Sequence, residues 1–147
     1  MERVILKPMD FNKLKIAVRN NRGKEIIFSS KDDELNRKVL EKLDVSGILI
    51  SLEGRKDYMK QRNSGFNQVM AKIAKKNNIF IGINFDELVN SKEKNKIISR
   101  LKQNIFLCNK NNVQMKFILG KEKKDIYDLK SLGLVLGMPT WMIKNIL

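Results

Sequence analysis

Histidine is absent from this sequence, and cysteine occurs once, at Cys108. The first absence removes His–Cys and His–carboxylate nucleophilic dyads, histidine general-base catalysis and most catalytic zinc sites. The second removes an internal disulfide and any thiolate cluster. Cys108 falls in an apolar helical register and reads as core, which fits an intracellular compartment. Neither a GxxxxGK[ST] loop nor a GxGxxG loop is present, which excludes a P-loop nucleotide site. No apolar run approaches the roughly 20 residues needed to span a membrane. Glu2 and Arg3 open the chain without the apolar core of a signal peptide. The expectation is a soluble cytoplasmic protein with no contact to a membrane and no cofactor or metal bound by the polypeptide.

Acidic residues are also scarce. Sixteen of them face thirty lysines and arginines, for a formal charge of +14. Self-repulsion on this scale must be offset by packing or by a polyanionic partner. Nucleic acid is the first candidate and an anionic membrane surface the second. Apolar residues make up 42% of the chain, a globular composition. Its 147 residues suit one domain, residues 1–147, able to bury roughly two-thirds of its unfolded surface.

Apolar runs begin near residues 4, 25, 45, 79 and 113. Between them lie helical stripes. Asp10 precedes Leu14, Ala17 and Val18; Ser30 and Asp33 precede Leu35, Val39, Leu40 and Leu43. Ser64 is placed to cap a helix carrying Phe66, Val69, Met70, Ile73 and Ala74. Asp86, Glu87, Ser91 and Glu93 open the longest helix, with Ile97, Ile98, Leu101, Ile105 and Cys108 on its apolar face and Asn111-Asn112 at its end. A shorter helix from Asp128 to Leu136 closes at Gly137, followed by an apolar tail with Trp141, Met142, Ile143 and Ile146. The solid apolar runs at 45–51 and 79–83 read as strands covered on both faces.

Strand and helix thus alternate at βαβ spacing, which predicts an α/β fold with a parallel sheet. An eight-unit barrel needs about 250 residues, and this chain has room for about five or six units. The expected architecture is an incomplete or shortened TIM-barrel-like (β/α) fold with parallel strands. An open barrel leaves edges that something must cover. Trp141, Met142, Ile143 and Ile146 are expected either to seal one end of the sheet or to form a protein interface.

Two basic clusters stand out. Arg55, Lys56, Lys60, Arg62, Lys72, Lys75 and Lys76 face one acid, Asp57. Residues 92–124 contain ten basic residues, including Arg100, Lys123 and Lys124, and two acidic ones. Side chains on loops and polar helix faces can reach phosphate oxygens without disturbing a core. Phe66, Phe80 and Phe117 occupy core-like positions, so binding to folded RNA backbone is favoured over base stacking on single strands. The candidate RNA-binding set is Arg55, Lys56, Lys60, Arg62, Lys72, Lys76, Arg100, Lys123 and Lys124. Asp86 and Glu87 follow a strand whose C-terminal end would be the active face of a barrel, so a carboxylate metallohydrolase stays open as an alternative. Helix capping is the competing role for both.

The segment Arg62, Asn63-Ser64, Gly65, Phe66, Asn67, Gln68, Val69-Met70, Ala71-Lys72-Ile73 resembles the signature of ribonuclease P protein component 3, an archaeal and eukaryotic subunit family. The resemblance continues through Lys75-Lys76-Asn77-Asn78 into Ile79-Phe80-Ile81-Gly82-Ile83. It reappears at Leu88, at Gln103–Lys110, and at Asp128-Leu129…Leu132-Gly133-Leu134-Val135-Leu136-Gly137-Met138. It extends from about Val45 to Met138. Gln68 stands where the family has histidine, Gly120-Lys121-Glu122 replaces a small-residue run, and Lys123 or Lys124 must stand in for an arginine.

This resemblance implies a reduced-length member of the family, short of about two N-terminal βα units. It implies a non-catalytic subunit of the RNA-based endonuclease that removes 5′ leaders from precursor tRNA. Its partners would be the ribonuclease P RNA, a small basic α/β protein subunit of the same complex and, through the holoenzyme, precursor tRNA. Catalytic magnesium would belong to the partner RNA. A basic structural protein of another ribonucleoprotein, such as the ribosome, remains the alternative.

Overall fold

Alternation of apolar runs and helical stripes produces five strands joined by helices. A computed structural model describes residues 2–147. The strands are β1 (Arg3–Leu6), β2 (Glu25–Ser30), β3 (Gly47–Ile50), β4 (Phe80–Asn84) and β5 (Met115–Ile118). The helices are α1 (Phe11–Asn20), α2 (Asp33–Lys42), α3 (Gln68–Lys76), α4 (Phe85–Asn90), α5 (Lys94–Lys110), α6 (Ile126–Leu136) and α7 (Thr140–Ile143). All neighbouring strands pair in parallel, and their order in the sheet is their order in the chain. Ile48, for example, lies beside Phe28 on one side and Ile81 on the other. A doubly wound sheet would reverse its strand order at a switch point. The sequential order is that of a shortened TIM-barrel-like fold, as the strand spacing predicts.

The two faces of the sheet are covered differently. Ile26 and Phe28, Ile48 and Ile50, Ile81 and Ile83, and Met115 and Phe117 join the helices in one large core. The intervening residues Ile27, Leu49, Phe80 and Ile118 form a separate small cluster to which no helix contributes. Period-two alternation thus splits each strand between a helix-covered face and a face closed by the sheet itself. Glycine makes the second face possible. A Cβ on Gly47 would lie 2.5 Å from the Phe80 ring, and one on Gly82 would crowd Ile118 and Leu49. β3 and β4 are therefore buried on both sides, as their unbroken apolar runs imply, although helices cover only one.

Side-chain caps set most helix starts. Asp10, Asp32, Asn67, Asn84 and Asp125 each accept a hydrogen bond from a backbone N–H of the first turn. Two caps differ from expectation. Asn67, rather than Ser64, caps α3, since Ser64 is buried and its hydroxyl donates to the Phe66 carbonyl. Asp32, rather than Ser30, caps α2, and the Ser30 hydroxyl accepts the Asp32 N–H. The expected single helix after β4 is two, broken at Ser91, whose side-chain oxygen accepts the Glu93 N–H.

The tail closes the β5 edge. An unpaired edge N–H needs an acceptor. Here the Phe117 N–H donates to the Ile146 carbonyl at 2.8 Å, and the Gln114 amide donates to the carbonyl of Met142 at 2.7 Å. Met142, Ile143 and Ile146 lie inside the main core, with Trp141 packed half-buried against it. Of the two expected roles the tail takes the first. Met142, Ile143 and Ile146 are not available as a protein interface, because the chain's own core encloses them.

Leu101 is 1% exposed and anchors α5 to the sheet. Leu101→Ala is expected to lower unfolding stability by about 2–5 kcal/mol in urea denaturation. Ile146→Ala should cost a similar amount, because the tail belongs to the same core; a loss under about 0.5 kcal/mol would mean an undocked tail.

Candidate nucleic-acid interface

The loop from β3 to α3 carries much of the basic sequence signal, and its path is set by α5. Arg100, in the second turn of α5, donates to the carbonyls of Leu52 and Arg55, both at 2.7 Å, and to the Asp57 carboxylate at 3.1 Å. Farther along α5, the Gln103 amide donates to the Arg62 carbonyl and Asn104 to the Ser64 carbonyl. At its end, Asn111 exchanges two hydrogen bonds with Gln68 at 3.0 and 3.1 Å. Loop and helix thus run side by side from residue 52 to residue 68. Gln68 fastens the start of α3 to the end of α5.

Arg55 in this loop and Arg100 on α5 are structural. Arg100 is 1% exposed, and its planar fork meets three acceptors at once, a geometry that lysine cannot reproduce. Arg55 holds Asp33 through two parallel hydrogen bonds of 2.8 and 2.9 Å and also donates to the Ser51 carbonyl. Gly65, at φ +71°, leaves the space that the Arg55 guanidinium fills. Arg55 and Arg100 were both candidates for RNA contact on charge alone. Their donors are used internally, so both are corrected to loop anchors.

The other candidates are exposed. Lys56, Lys60 and Arg62 sit on the loop, Lys72 and Lys76 on the outer side of α3, and Lys123 and Lys124 between β5 and α6. Arg62 also donates to Asp57 at 3.1 Å while remaining half exposed. The fold brings Lys56, Lys60 and Arg62 together on one loop. Lys76 lies in the last turn of α3, well separated from that loop along the helix. Phe66, Phe80 and Phe117 are buried, as their positions suggest.

Two aromatic residues that the sequence reading passed over are exposed instead. Tyr58 and Phe106 line one cleft of about 800 Å³ with Gln61, Arg62 and Gln103. For Phe106 the signal was its place beside Ile105, one position off the apolar stripe of α5.

Carboxylates at this end act as acceptors for backbone N–H groups. Glu87 accepts from Glu53 N–H at 2.8 Å and from the Ser51 hydroxyl at 2.8 Å. Asp86 accepts from the N–H groups of Glu122 and Lys121 at 2.9 and 2.7 Å, and these bonds hold its carboxyl below the usual range. The pair thereby tie down the loops after β3 and β5. Among the described residues, no three His, Cys, Asp or Glu side chains gather as a metal-binding group. Asp57 accepts the Asn63 N–H, and this bond, with Arg100 and then Arg62, pushes its carboxyl down to about 2. Burial raises the Cys108 thiol well above the ordinary value.

No family model matches the chain. Two curated relatives, both named ribonuclease P protein component 3 and both from strains of Methanococcus maripaludis, are 27% identical over 126 residues. That alignment takes in 83% of this chain, which spans about half (51%) of the relatives' length. A chain in a cryo-EM structure of archaeal ribonuclease P with mature tRNA superposes with a TM-score of 0.81 at 25% identity. The superposition covers 97% of this chain and 62% of that one. The chain is thus similar in sequence and in fold to ribonuclease P proteins, as the Arg62–Ile73 segment suggests.

Arg100→Leu should destabilise the protein by at least about 2 kcal/mol, because it strands two carbonyls and a carboxylate. Urea denaturation measures this, and an unchanged midpoint would contradict the anchoring role. Asp57 has a depressed folded value. Its stabilising contribution is therefore complete above the unfolded carboxylate range near pH 4 and fades as pH falls toward about 2. Protection of the Asn63 amide against exchange, relative to the unfolded chain at the same pH, should fall across that window in the wild type, and in Asp57→Asn it should be low already at neutral pH.

Proposed function

We propose that this chain is a protein subunit of a ribonuclease P-type ribonucleoprotein, the endonuclease that matures the 5′ ends of precursor tRNA. The observation that carries this reading is the fold likeness over nearly the whole chain to a chain of archaeal ribonuclease P, joined by component 3 relatives in sequence. In this reading the polypeptide is a scaffold. The RNA cuts the phosphodiester and supplies the magnesium, a small basic α/β subunit is the protein partner, and the assembly works in the cytoplasm. The net charge of +14 and the exposed Lys56, Lys60, Arg62, Lys72, Lys76, Lys123 and Lys124 suit phosphate contact. Asp86 and Glu87 have backbone groups as partners, which supports a structural rather than a hydrolytic role for them. No described helix is long and apolar enough to cross a membrane.

Affinity purification from the native cell, with sequencing of bound RNA, tests the assignment. Recovery of a ribonuclease P RNA with precursor tRNA cleavage is the expected result. Recovery of ribosomal RNA alone would point to the ribosome instead. Within the complex, Arg62→Ala and Lys72→Ala should each lower the salt slope of RNA binding by about one, with the metal dependence of cleavage unchanged. Arg62→Ala should weaken binding more, since its fork can hold phosphate through two hydrogen bonds.

A further inference from the structure

The parallel strand order gathers the four helix-to-strand turns, residues 21–24, 43–46, 77–79 and 111–114, at one end of the sheet. Two grooves cross this end. One, of about 570 Å³, is flanked by Lys15, Arg19, Arg22 and Lys24 on one side and by Asn77 and Asn78 on the other. The second, of about 310 Å³, contains Lys75, Asn112 and Lys116 and shares Asn78 with the first. The grooves therefore meet at the α3–β4 turn, and between them they touch all four turns.

Charge is distributed unevenly about this end. Twelve of the sixteen acidic residues lie in helix caps, first turns or strand-to-helix loops. Among the described residues, Asp44 is the one acid lining either groove. Among the described residues, Lys15, Arg19 and Arg22 form no salt bridge, while Lys24 meets Glu2 at 3.5 Å. Helix dipoles favour cations in last turns, which accounts for Arg19 and Lys75. They do not account for Lys15, Arg22, Lys24 and Lys116, which stand outside last turns and still line the grooves.

The turns are also well braced. The Asn21 amide donates to the Ala17 carbonyl at 2.8 Å, and that of Asn77 to the Leu40 carbonyl at 2.7 Å. Asn78 and Asn112 both hold the left-handed conformation at φ +55°, which asparagine tolerates better than most residues. Such bracing presents cations at set positions with little ordering cost on binding.

We infer that this end of the sheet is a second phosphate-binding surface, which takes the backbone of folded RNA across the α1–β2 and α3–β4 turns. The inference rests on reading the chain as an RNA-associated subunit. It places contacts on residues outside the loop and helix set of that reading. Among the described residues, neither groove is lined by any of the exposed large apolar side chains, such as Tyr127, Leu134 and Val135 on α6. A membrane-inserting face or the core of a protein interface would need them.

The test is a salt titration of the full chain with a fluorescein-labelled RNA hairpin of mixed stem sequence. Arg19→Gln with Arg22→Gln is compared with Lys13→Gln plus Lys31→Gln, a charge-matched pair outside the grooves. Both pairs are exposed, and thermal melts confirm folding; Lys15→Gln with Lys24→Gln replaces the groove pair if it melts early. The groove pair should lower the salt slope by about two and the control pair by much less. Equal losses in both pairs would mean diffuse attraction and overturn the inference. No loss for the groove pair, alongside a loss for Lys56→Gln with Lys60→Gln, would overturn it while leaving the subunit reading intact. Wild-type protein that ignores the hairpin but binds phosphatidylserine vesicles would overturn both.

Discussion

Every crossover in this protein returns the chain to the same end of a parallel sheet, and most of the molecule follows from that constraint. Parallel neighbours require a long connection, and here a helix supplies each one. Helix-to-strand turns must then collect at one end and strand-to-helix connections at the other. Helix starts call for acceptors, which Asp10, Asp32, Asn84 and Asp125 provide, while helix ends favour cations. A chain with a large basic excess that spends most of its acids on helix starts leaves its turn end short of negative charge. The asymmetry is thus a consequence of topology acting on composition.

Loops on the strand-to-helix side follow a second rule: a few charged residues on them and on the adjoining helices turn inward to hold them, while the rest stay exposed. Arg55, Arg100, Asp33, Asp57, Asp86 and Glu87 pair with backbone groups or one another. Such a loop has few apolar residues with which to pack, so multidentate groups carry its order. Arginine does this better than lysine, because five donors in a rigid plane satisfy several acceptors together. In the proposed assembly this division keeps the Arg55 and Arg100 forks for the protein and leaves the exposed lysines, with Arg62, for the RNA.

Much of the fold was legible in the chain. The five apolar runs became the five strands within a few residues, and the helical stripes became helices. The misses have local causes. Ser64 and Asn67 are both good caps, and the choice fell to Asn67 because Ser64 was drawn under α5 by Gln103 and Asn104. The helix after β4 divides at Ser91 because that serine turns to Glu53 and the Glu93 N–H. The candidate site was less legible than the fold. Charge alone does not distinguish an arginine facing solvent from one holding three internal acceptors, and Arg55 and Arg100 are of the second kind.

Periodicity and composition by themselves determined that the chain forms parallel βα units and that it carries a surplus of positive charge, and the Arg62–Ile73 segment carries its resemblance to ribonuclease P protein component 3. These depend on patterns local in sequence, where neighbours along the chain dictate the outcome. Tertiary structure alone decided which cations are buried, which aromatic residues line a cleft, and that the apolar tail closes β5. It also brought Lys15, Arg22, Asn78 and Lys116 to one end of the sheet. Those outcomes depend on contacts between residues tens of positions apart, and only the closed packing of helices on the sheet sets such distances.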